Sequence, residues 1–230
     1  GIAIPFALVV YYTYIESWTL AYSFFSLTGK YFGVQGHQGM VDFLAAYQGK
    51  IKNVHFNGIA TAYFFCAVTL LMNVWILSHG LTKGIERLGN IALPRIFVVG
   101  FMLVLRVFTL GTPVLAYPER NVVTGLGFIW IPDLTVLGSA KVWLAATGQI
   151  FFTLSLGFGA IQPYASYLSK KDDVVLSGLA TSSANEFAEV ILGGSIAIPV
   201  TVAFFGLMET QKIAAAGSFD LGFFAMPIIF

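Results

Sequence analysis

Four polar side chains that could do chemistry lie inside long apolar segments of the chain. Asn185 and Glu189 stand one helical turn apart in the last such segment, and Gln149 and Thr153 share a helical face in the one before it. A charged side chain at the centre of a bilayer costs about 2.5 to 3.5 kcal/mol on insertion scales, so it needs a partner or a function. We interpret this set as a candidate functional site, with interhelical hydrogen bonding as the alternative. Interhelical hydrogen bonding is a stronger alternative for Thr181 and Ser182, which lie on the same helix face as Asn185, than for Glu189.

A tyrosine lies at mid-depth of the first apolar segment. Tyr12 shares one helix side with Leu8, Ile15 and Glu16. Tyrosines usually collect at the membrane interface, so the hydroxyl of Tyr12 is expected to reach a polar partner. A core tyrosine bonded to a backbone carbonyl is the alternative. Spacing assigns no role to Glu16 or to Glu186.

Two glycines interrupt the fourth apolar segment. Gly157 and Gly159 flank a phenylalanine, and each costs about 1 kcal/mol in a helix interior. Pro163 follows, and proline is accepted in a first helical turn but not in the interior. We predict a half-helix that ends near Leu154, an unwound stretch, and a second half-helix that begins near Ala160. Freed backbone groups must find partners inside a membrane, so the stretch should line a cavity or bind a ligand, unless the glycines only allow a close helix contact.

The elements that hold these residues read as membrane helices. Of 230 residues, 57% are hydrophobic and 10% are charged, whereas a soluble domain has about 25% charged residues. This excludes a water-soluble globular domain. Five segments reach the roughly 20 apolar residues that a membrane span needs: about 2–29, 56–79, 90–110, 141–168 with a break near 155–159, and 174–206. The sequence predicts an all-α polytopic membrane protein with one membrane domain over 1–230.

Basic residues predict the orientation of the spans. The two short connections hold Lys83, Arg87, Lys170 and Lys171, and cytoplasmic loops carry such an excess. We therefore expect these connections to face the cytoplasm. The other segments outside the spans are expected to face outside: 30–55, 111–140 and an outer hairpin at 207–230. The predicted location is the inner (plasma) membrane, crossed several times, with the lipid bilayer as a partner.

Other function classes lack their motifs. There is no His-Glu-x-x-His or Gly-x-Ser-x-Gly sequence, phosphate-binding loop or dinucleotide motif, so neither an enzyme nor an organic cofactor is expected. A net charge of +1 indicates no nucleic-acid partner. The lone Cys66 offers neither a disulfide framework nor a metal cluster. A broken helix, an amide and carboxylate stripe and a mid-membrane tyrosine are together typical of a secondary transporter.

Three motifs resemble the neurotransmitter:sodium symporter family, most closely its bacterial amino-acid branch. They are YYTYIESW at 11–18, GQIFFTLSLGFG at 148–159 and SANEFAEVILGGS at 183–195. Gly84 and Pro94 also resemble a pair at the start of the family's fifth span. The resemblance implies a LeuT-type inverted-repeat transporter fold, in which this chain is a fragment whose five helices match spans three to seven of about twelve. Spans outside the fragment would complete the site.

The resemblance also implies roles for individual residues. The substrate amino acid would be bound by residues of the first and fourth spans: Leu8, Tyr12, Ile15, Phe152, Thr153, Ser155 and Phe158. Its carboxylate would meet Tyr12, and its ammonium would meet the carbonyls of Phe152 and Thr153 and the hydroxyl of Ser155. Thr153 and Asn185 are implied as side-chain ligands of sodium, the one ion expected. Tyr167 is implied as part of the inner gate.

The resemblance gives Glu189 a particular meaning. Chloride-dependent members have a small neutral residue there, so a carboxylate beside Gln149, Thr153 and Asn185 implies chloride-independent transport, with proton antiport through Glu189 as a hypothesis. The predicted function is sodium-coupled symport of a hydrophobic amino acid by alternating access. A non-transporting membrane subunit or receptor of the same fold, or an ion channel, is the alternative. The particular amino acid, the sodium stoichiometry, the oligomeric state and independent folding stay open.

Overall fold

The computed structural model describes residues 3–34, 36–159, 161–217 and 219–229. These residues form helices and no β-strand, which confirms the predicted all-α class. The helices are α1 (Ala3–Thr28), α2 (Gly36–Tyr47), α3 (Ala60–Ser78), α4 (Leu81–Phe108), α5 (Val122–Trp130), α6 (Ala140–Thr153), α7 (Ile161–Ala165), α8 (Val174–Phe205), α9 (Leu207–Ala216) and α10 (Asp220–Ile229). A 3-10 helix, Leu134–Gly138, precedes α6.

Three of these helices are long and apolar enough to cross a membrane, namely α3, α4 and α8. Helix α1 has 26 residues, enough for a bilayer at 1.5 Å per residue, but its tyrosines, hydroxyls and Glu16 make it less apolar. The predicted fourth span consists of α6, with 14 residues, and α7, with 5. The five-span arrangement therefore stays a prediction.

Short helices occupy the segments that were predicted to face outside. Helix α2 lies within 30–55, α5 within 111–140, and α9 and α10 within 207–230, where the outer hairpin stays a prediction. Residues 1, 2, 35, 160, 218 and 230 of the predicted segments lie outside the described residues.

An aromatic cluster joins α1, α2, α3 and α10. Phe25 is 1% exposed, and its ring lies within 5.8 Å, centroid to centroid, of the rings of Phe43, Tyr47, Phe56 and Phe65. Phe223 of α10 meets Trp18 and Tyr22 edge to face at 5.5 and 5.2 Å. Such ring pairs add about 0.5 to 1.5 kcal/mol each to the free energy of burial, so this cluster fastens α10 to α1.

Helix α8 changes character along its length. It is α-helical over Val174–Glu186, π-helical over Phe187–Gly194 and α-helical again over Ser195–Phe205. The last part packs on α5 and α4. A glycine permits that contact, because a Cβ at Gly125 would lie 2.4 Å from the Cα of Pro199.

Helix α4 begins earlier than the predicted third span, at Leu81 rather than at about residue 90. Gly80 makes the turn from α3 with φ of +74°, a conformation that favours glycine. A Cβ at Gly84 would lie 2.1 Å from the carbonyl oxygen of Ile76, so the glycine lets α4 start directly against the end of α3. The charged stretch 80–87, predicted as a connecting loop, is therefore largely helical.

Candidate functional site

The carboxylate of Glu189 receives hydrogen bonds from two helices. Gln149 Nε2 donates to Glu189 Oε1 at 2.5 Å, and the Thr153 hydroxyl donates to Glu189 Oε2. Asn185 Nδ2 donates to Thr153 Oγ1 at 2.7 Å and to Glu189 Oε2 at 3.4 Å. The four side chains that sequence analysis selected thus form one hydrogen-bonded group between α6 and α8, which we call the Glu189 network.

The pattern of donors fits an ionised carboxylate. Both oxygens of Glu189 accept hydrogen bonds within the network, and an ionised carboxylate is an acceptor only. If the amide of Gln149 turned over, its oxygen would face Glu189 and could accept a hydrogen bond from the protonated carboxyl group. The network can therefore accommodate either protonation state with a rotation of one side chain.

Glu189 lies in the π-helical part of α8. The π segment begins at Phe187, between Asn185 and Glu189, and both of these side chains reach Thr153. Phe187 stacks on Phe97 of α4 with ring centroids 6.2 Å apart. Because π segments occur frequently at functional sites, the local geometry and the polar contacts point to the same place on α8.

Two oxygen atoms of the network retain capacity to bind a cation. The Thr153 hydroxyl donates one hydrogen bond and accepts one, which leaves one of its two lone pairs. The hydrogen bonds of Asn185 within the network use its Nδ2 atom, so its Oδ1 is uncommitted there. Hard cations take oxygen ligands. The part of the chain that the structure describes holds no group of three His, Cys, Asp or Glu side chains for a metal ion.

Helix α6 ends in a tight turn at the predicted break. Ser155 has φ of +54°, a left-handed conformation that is uncommon outside glycine. Its N–H donates to the carbonyl oxygen of Phe152 at 3.1 Å, and the N–H of Leu156 donates to that of Phe151 at 2.8 Å. These two bonds form a Schellman motif. They satisfy carbonyls that would otherwise be free at the helix end.

The chain between α6 and α7 continues in glycine-favouring conformations, with φ of +79° at Gly157 and +81° at Gly159. The predicted start of the second half-helix, near Ala160, lies outside the described residues. Within the described part of the chain, the carbonyl of Thr153 at the end of α6 accepts no hydrogen bond from a backbone N–H of the turn that follows. Of the two carbonyls predicted to meet an ammonium group, that of Thr153 is therefore the more available.

The predicted substrate residues fall into two groups. Phe152 and Phe158 meet edge to face across the break with ring centroids 6.2 Å apart. Leu8, Tyr12 and Ile15 lie on α1, whose main packing partner is α3. Tyr12 is 45% exposed, and the polar partner expected for its hydroxyl stays a prediction.

Three further residues from the sequence analysis have defined positions. The Thr181 hydroxyl donates to the carbonyl oxygen of Ser177 in its own helix at 2.8 Å, so it does not serve as interhelical glue here. Ser182 lines a groove of about 340 Å³ between α6 and α8, together with Thr153 and Asn185. Tyr167, the predicted gate residue, lies in the turn after α7 and is 68% exposed.

The family is decided by a match over most of the chain. The model of the sodium:neurotransmitter symporter family matches residues 40–229. The chain belongs to this family. The match, which includes the motifs at 148–159 and 183–195, confirms the family resemblance, and with it the LeuT-type fold of the family. Sodium symporters of this family are integral membrane proteins, in agreement with the long apolar helices α3, α4 and α8.

Several relatives are named as transporters. An uncharacterized sodium-dependent transporter of Methanocaldococcus jannaschii is 38% identical over 48% of this chain and 20% of its own length. One of Bacillus subtilis is 28% identical over 92% of this chain and 42% of its own length. The sodium-dependent neutral amino acid transporter B(0)AT1 of Rattus norvegicus is 26% identical over 44% of this chain and 17% of its own length. The chain thus spans less than half the length of these relatives.

One polar contact of this chain was missed in the sequence analysis. Asn73 Nδ2 of α3 donates to Glu16 Oε2 of α1 at 2.7 Å. The signal that could have found the pair is Asn73, an amide inside the second apolar segment. The segment before it holds the carboxylate of Glu16. Glu16 follows Tyr12 by one helical turn, so the contact adjoins the predicted substrate tyrosine.

Proposed function

We propose that the full-length protein containing this chain is a sodium-coupled symporter of a hydrophobic amino acid, working by alternating access in the inner (plasma) membrane. The observation that carries the proposal is the Glu189 network beside the end of the broken helix. It places a carboxylate next to uncommitted oxygen atoms of Thr153, the last residue of α6 before the break, and of Asn185 on α8.

Sodium binding is assigned to Thr153 and Asn185. Their free lone pairs suit a hard cation, and the carboxylate of Glu189 contributes negative charge next to them. In the full-length protein, the substrate carboxylate and helices outside this chain would supply the other ligands. Direct contact between ion and substrate makes each raise the affinity of the other by the same factor, because coupling is reciprocal.

Substrate binding is assigned to the helix end and to α1. A carbonyl end of a helix carries partial negative charge, which suits the ammonium group at the carbonyl of Thr153 and the hydroxyl of Ser155. Phe152 and Phe158 would enclose an apolar side chain, and one relative is named a neutral amino acid transporter. Tyr12, Leu8 and Ile15 join this site if α1 approaches α6 in the full-length protein, with Tyr12 meeting the carboxylate.

We further propose that transport does not require chloride. Gln149, Thr153 and Asn185 direct N–H and O–H groups at the carboxylate of Glu189, and a chloride ion would need the same donors. The carboxylate therefore takes the place of the anion. Protonation of Glu189 with a turned Gln149 amide would neutralise the empty site on its return, which gives proton antiport. Tyr167 is proposed to close the cytoplasmic side during the cycle.

The first test is amino-acid binding to the purified full-length protein. Binding of radiolabelled leucine should strengthen with sodium concentration and be lost in potassium, and a sodium gradient should drive uptake into proteoliposomes. Equal binding in sodium and potassium would contradict the proposal. Sodium-dependent binding without uptake would favour the receptor alternative over transport.

The second test replaces the carboxylate. Glu189→Ser leaves the donors facing a space that chloride can fill, so uptake should become at least about tenfold faster in chloride than in gluconate, while the unsubstituted protein is indifferent to the anion. Glu186→Gln, which removes a carboxylate outside the network, is the matched control. If Glu189→Ser transports equally well in both anions, the chloride proposal is wrong. A pH-sensitive dye inside the liposomes tests the proton antiport.

A further inference from the structure

The junction of α3 and α4 lies away from the Glu189 network. A groove of about 550 Å³ opens between these helices, lined on its apolar walls by Met72, Trp75, Leu88 and Ile91 and at its end by Lys83 and Arg87. We propose that this groove binds an anionic phospholipid, with the phosphate at Lys83 and Arg87 and an acyl chain along the walls. The proposal does not depend on the symport activity.

The shape of the groove follows from one close contact. At Gly84 the two helices touch, since a Cβ there would lie 2.1 Å from the carbonyl oxygen of Ile76. The contacts of α3 with α4 concentrate in the first turn of α4. Beyond that point, Met72 and Leu88 on the facing walls remain 49% and 47% exposed. The helices therefore diverge from a closed end and leave room for a chain between them.

The start of α4, at the closed end, carries a net positive charge from Lys83, Glu86 and Arg87. Lys83 and Arg87 are four residues apart at the start of α4. The ion pair found among the described residues joins Lys212 to Glu209, so in that part of the chain neither cation forms a close ion pair, although Glu86 lies between them in sequence. Basic pockets between membrane helices on the cytoplasmic side bind the headgroups of anionic lipids. The guanidinium of Arg87 can also hold a phosphate through two parallel hydrogen bonds.

An aromatic pair marks the level of the membrane surface in the groove. The rings of Trp75 and His79 lie 4.8 Å apart. His79 Nδ1 lies 2.7 Å from the carbonyl oxygen of Trp75, which can only accept, so Nδ1 donates and the ring is held in place. Tryptophan collects at the membrane interface. Cations beside Trp75 and apolar walls beyond it match the order of headgroup and acyl chain in a phospholipid.

Native mass spectrometry of the full-length protein tests the site. The protein is titrated with phosphatidylglycerol or phosphatidylcholine of identical acyl chains. One phosphatidylglycerol should bind at least about tenfold more tightly than phosphatidylcholine, and the double substitution Lys83→Gln with Arg87→Gln should remove this preference. Lys170→Gln with Lys171→Gln is the matched control, with the same loss of charge in the other short basic connection, and it should keep the preference. Gel filtration and helical content confirm that each variant is folded.

Further experiments distinguish binding of an intact phospholipid from binding of its headgroup alone. Leu88→Trp fills the groove without changing its charge and should weaken phosphatidylglycerol binding, and a photoactivatable acyl chain should label α3 or α4. Glycerol phosphate should not displace the lipid at comparable concentration. The proposal is overturned if the Lys83 and Arg87 variant keeps the preference, if labelling falls outside these helices, or if glycerol phosphate competes equally.

Discussion

The two ends of α8 lie in opposite surroundings. None of the residues of Val174–Glu186 is buried, whereas Ser195–Phe205 includes Ser195, Pro199, Val200, Thr201, Val202 and Ala203 among its buried residues. We call Val174–Glu186 the open end and Ser195–Phe205 the packed end. The open end carries Asn185, which donates a hydrogen bond to Thr153 of α6. The hydroxyl of Thr201, at the packed end, bonds to its own helix at Ala197. The π segment with Glu189 connects the two.

This difference separates the part of α8 that is held by packing from the part that is proposed to bind an ion. The packed end is fixed by α5 and α4 through apolar contacts. The open end keeps polar groups accessible to α6, to an ion and, in the full-length protein, to further helices. An unpaired polar group would cost about 1 to 3 kcal/mol in the packed end, so the polar stripe belongs where partners can still arrive.

The largest expected effect comes from the open end. Asn185→Ala in the full-length protein removes an uncommitted oxygen and a donor to Thr153, so sodium-dependent amino-acid binding should weaken by about 100-fold or more. A sodium titration of substrate binding measures this. Thr181→Val is the control in the same half of α8, because its hydroxyl bonds to its own helix, and it should change affinity less than about twofold. Equal losses in both variants would mean that the open end acts as a whole rather than through the network.

The next effect tests the packed end. Gly125→Ala places a methyl group 2.4 Å from the Cα of Pro199, and such overpacking costs about 1 to 3 kcal/mol of folding free energy. At Gly127 the nearest atom outside the α5 backbone would be 3.5 Å away, so Gly127→Ala should be neutral or slightly stabilising. Thermal unfolding of the full-length protein in detergent compares the two. The sodium affinity of the folded protein should stay constant, and a parallel loss would show that the two ends are coupled.

Much of the open end could be predicted because spacing alone fixes helix faces. The four-residue intervals put Asn185 beside Glu189 and Gln149 beside Thr153, and the structure brings these two pairs together. The glycines at 157 and 159 indicated where regular helix would stop, since their conformational freedom is a local property.

Other features depend on contacts that no local pattern reveals. The π segment of α8 changes the helical period where Glu189 lies, and sequence periodicity assumes a constant one. The early start of α4 depends on Gly84 meeting Ile76, which is a tertiary contact. The pairing of Glu16 with Asn73 likewise joins residues on different helices.

A smaller effect concerns how the open end of α8 begins. Asp173 Oδ1 accepts a hydrogen bond from the N–H of Leu176 at 2.9 Å and caps the helix. Because packing contributes little in this half, Asp173→Ala should cost about 1 kcal/mol, seen as faster amide hydrogen exchange in the first turn of α8. Asp173→Asn preserves an N-cap acceptor and should exchange nearly as slowly as the unsubstituted protein. Unchanged exchange in the alanine variant would show that contacts other than the cap hold this end.

The smallest effect lies at the approach to α6, the partner of the open end. The hydroxyl of Thr135 donates to Asp133 Oδ1 at 2.5 Å and its N–H donates at 3.0 Å. These bonds favour the ionised carboxylate and lower the pKa of Asp133 below its ordinary value. The bonds therefore stabilise the turn at pH values above the pKa that Asp133 has in the unfolded chain. This stabilisation is lost as the pH falls through the lower pKa that Asp133 has in the folded chain.

Thr135→Val removes the hydroxyl bond, so the pKa of Asp133 should rise toward its ordinary value, whereas Thr135→Ser should keep it low. A titration of the labelled carboxyl carbon by NMR measures this. Because Asp133 is exposed, solvent screens its charge and the unfolding midpoint at neutral pH should hardly move. A large change in the midpoint would mean that the short 3-10 helix holds α6 against α8, and the open end would then be less independent of its surroundings than its exposure indicates.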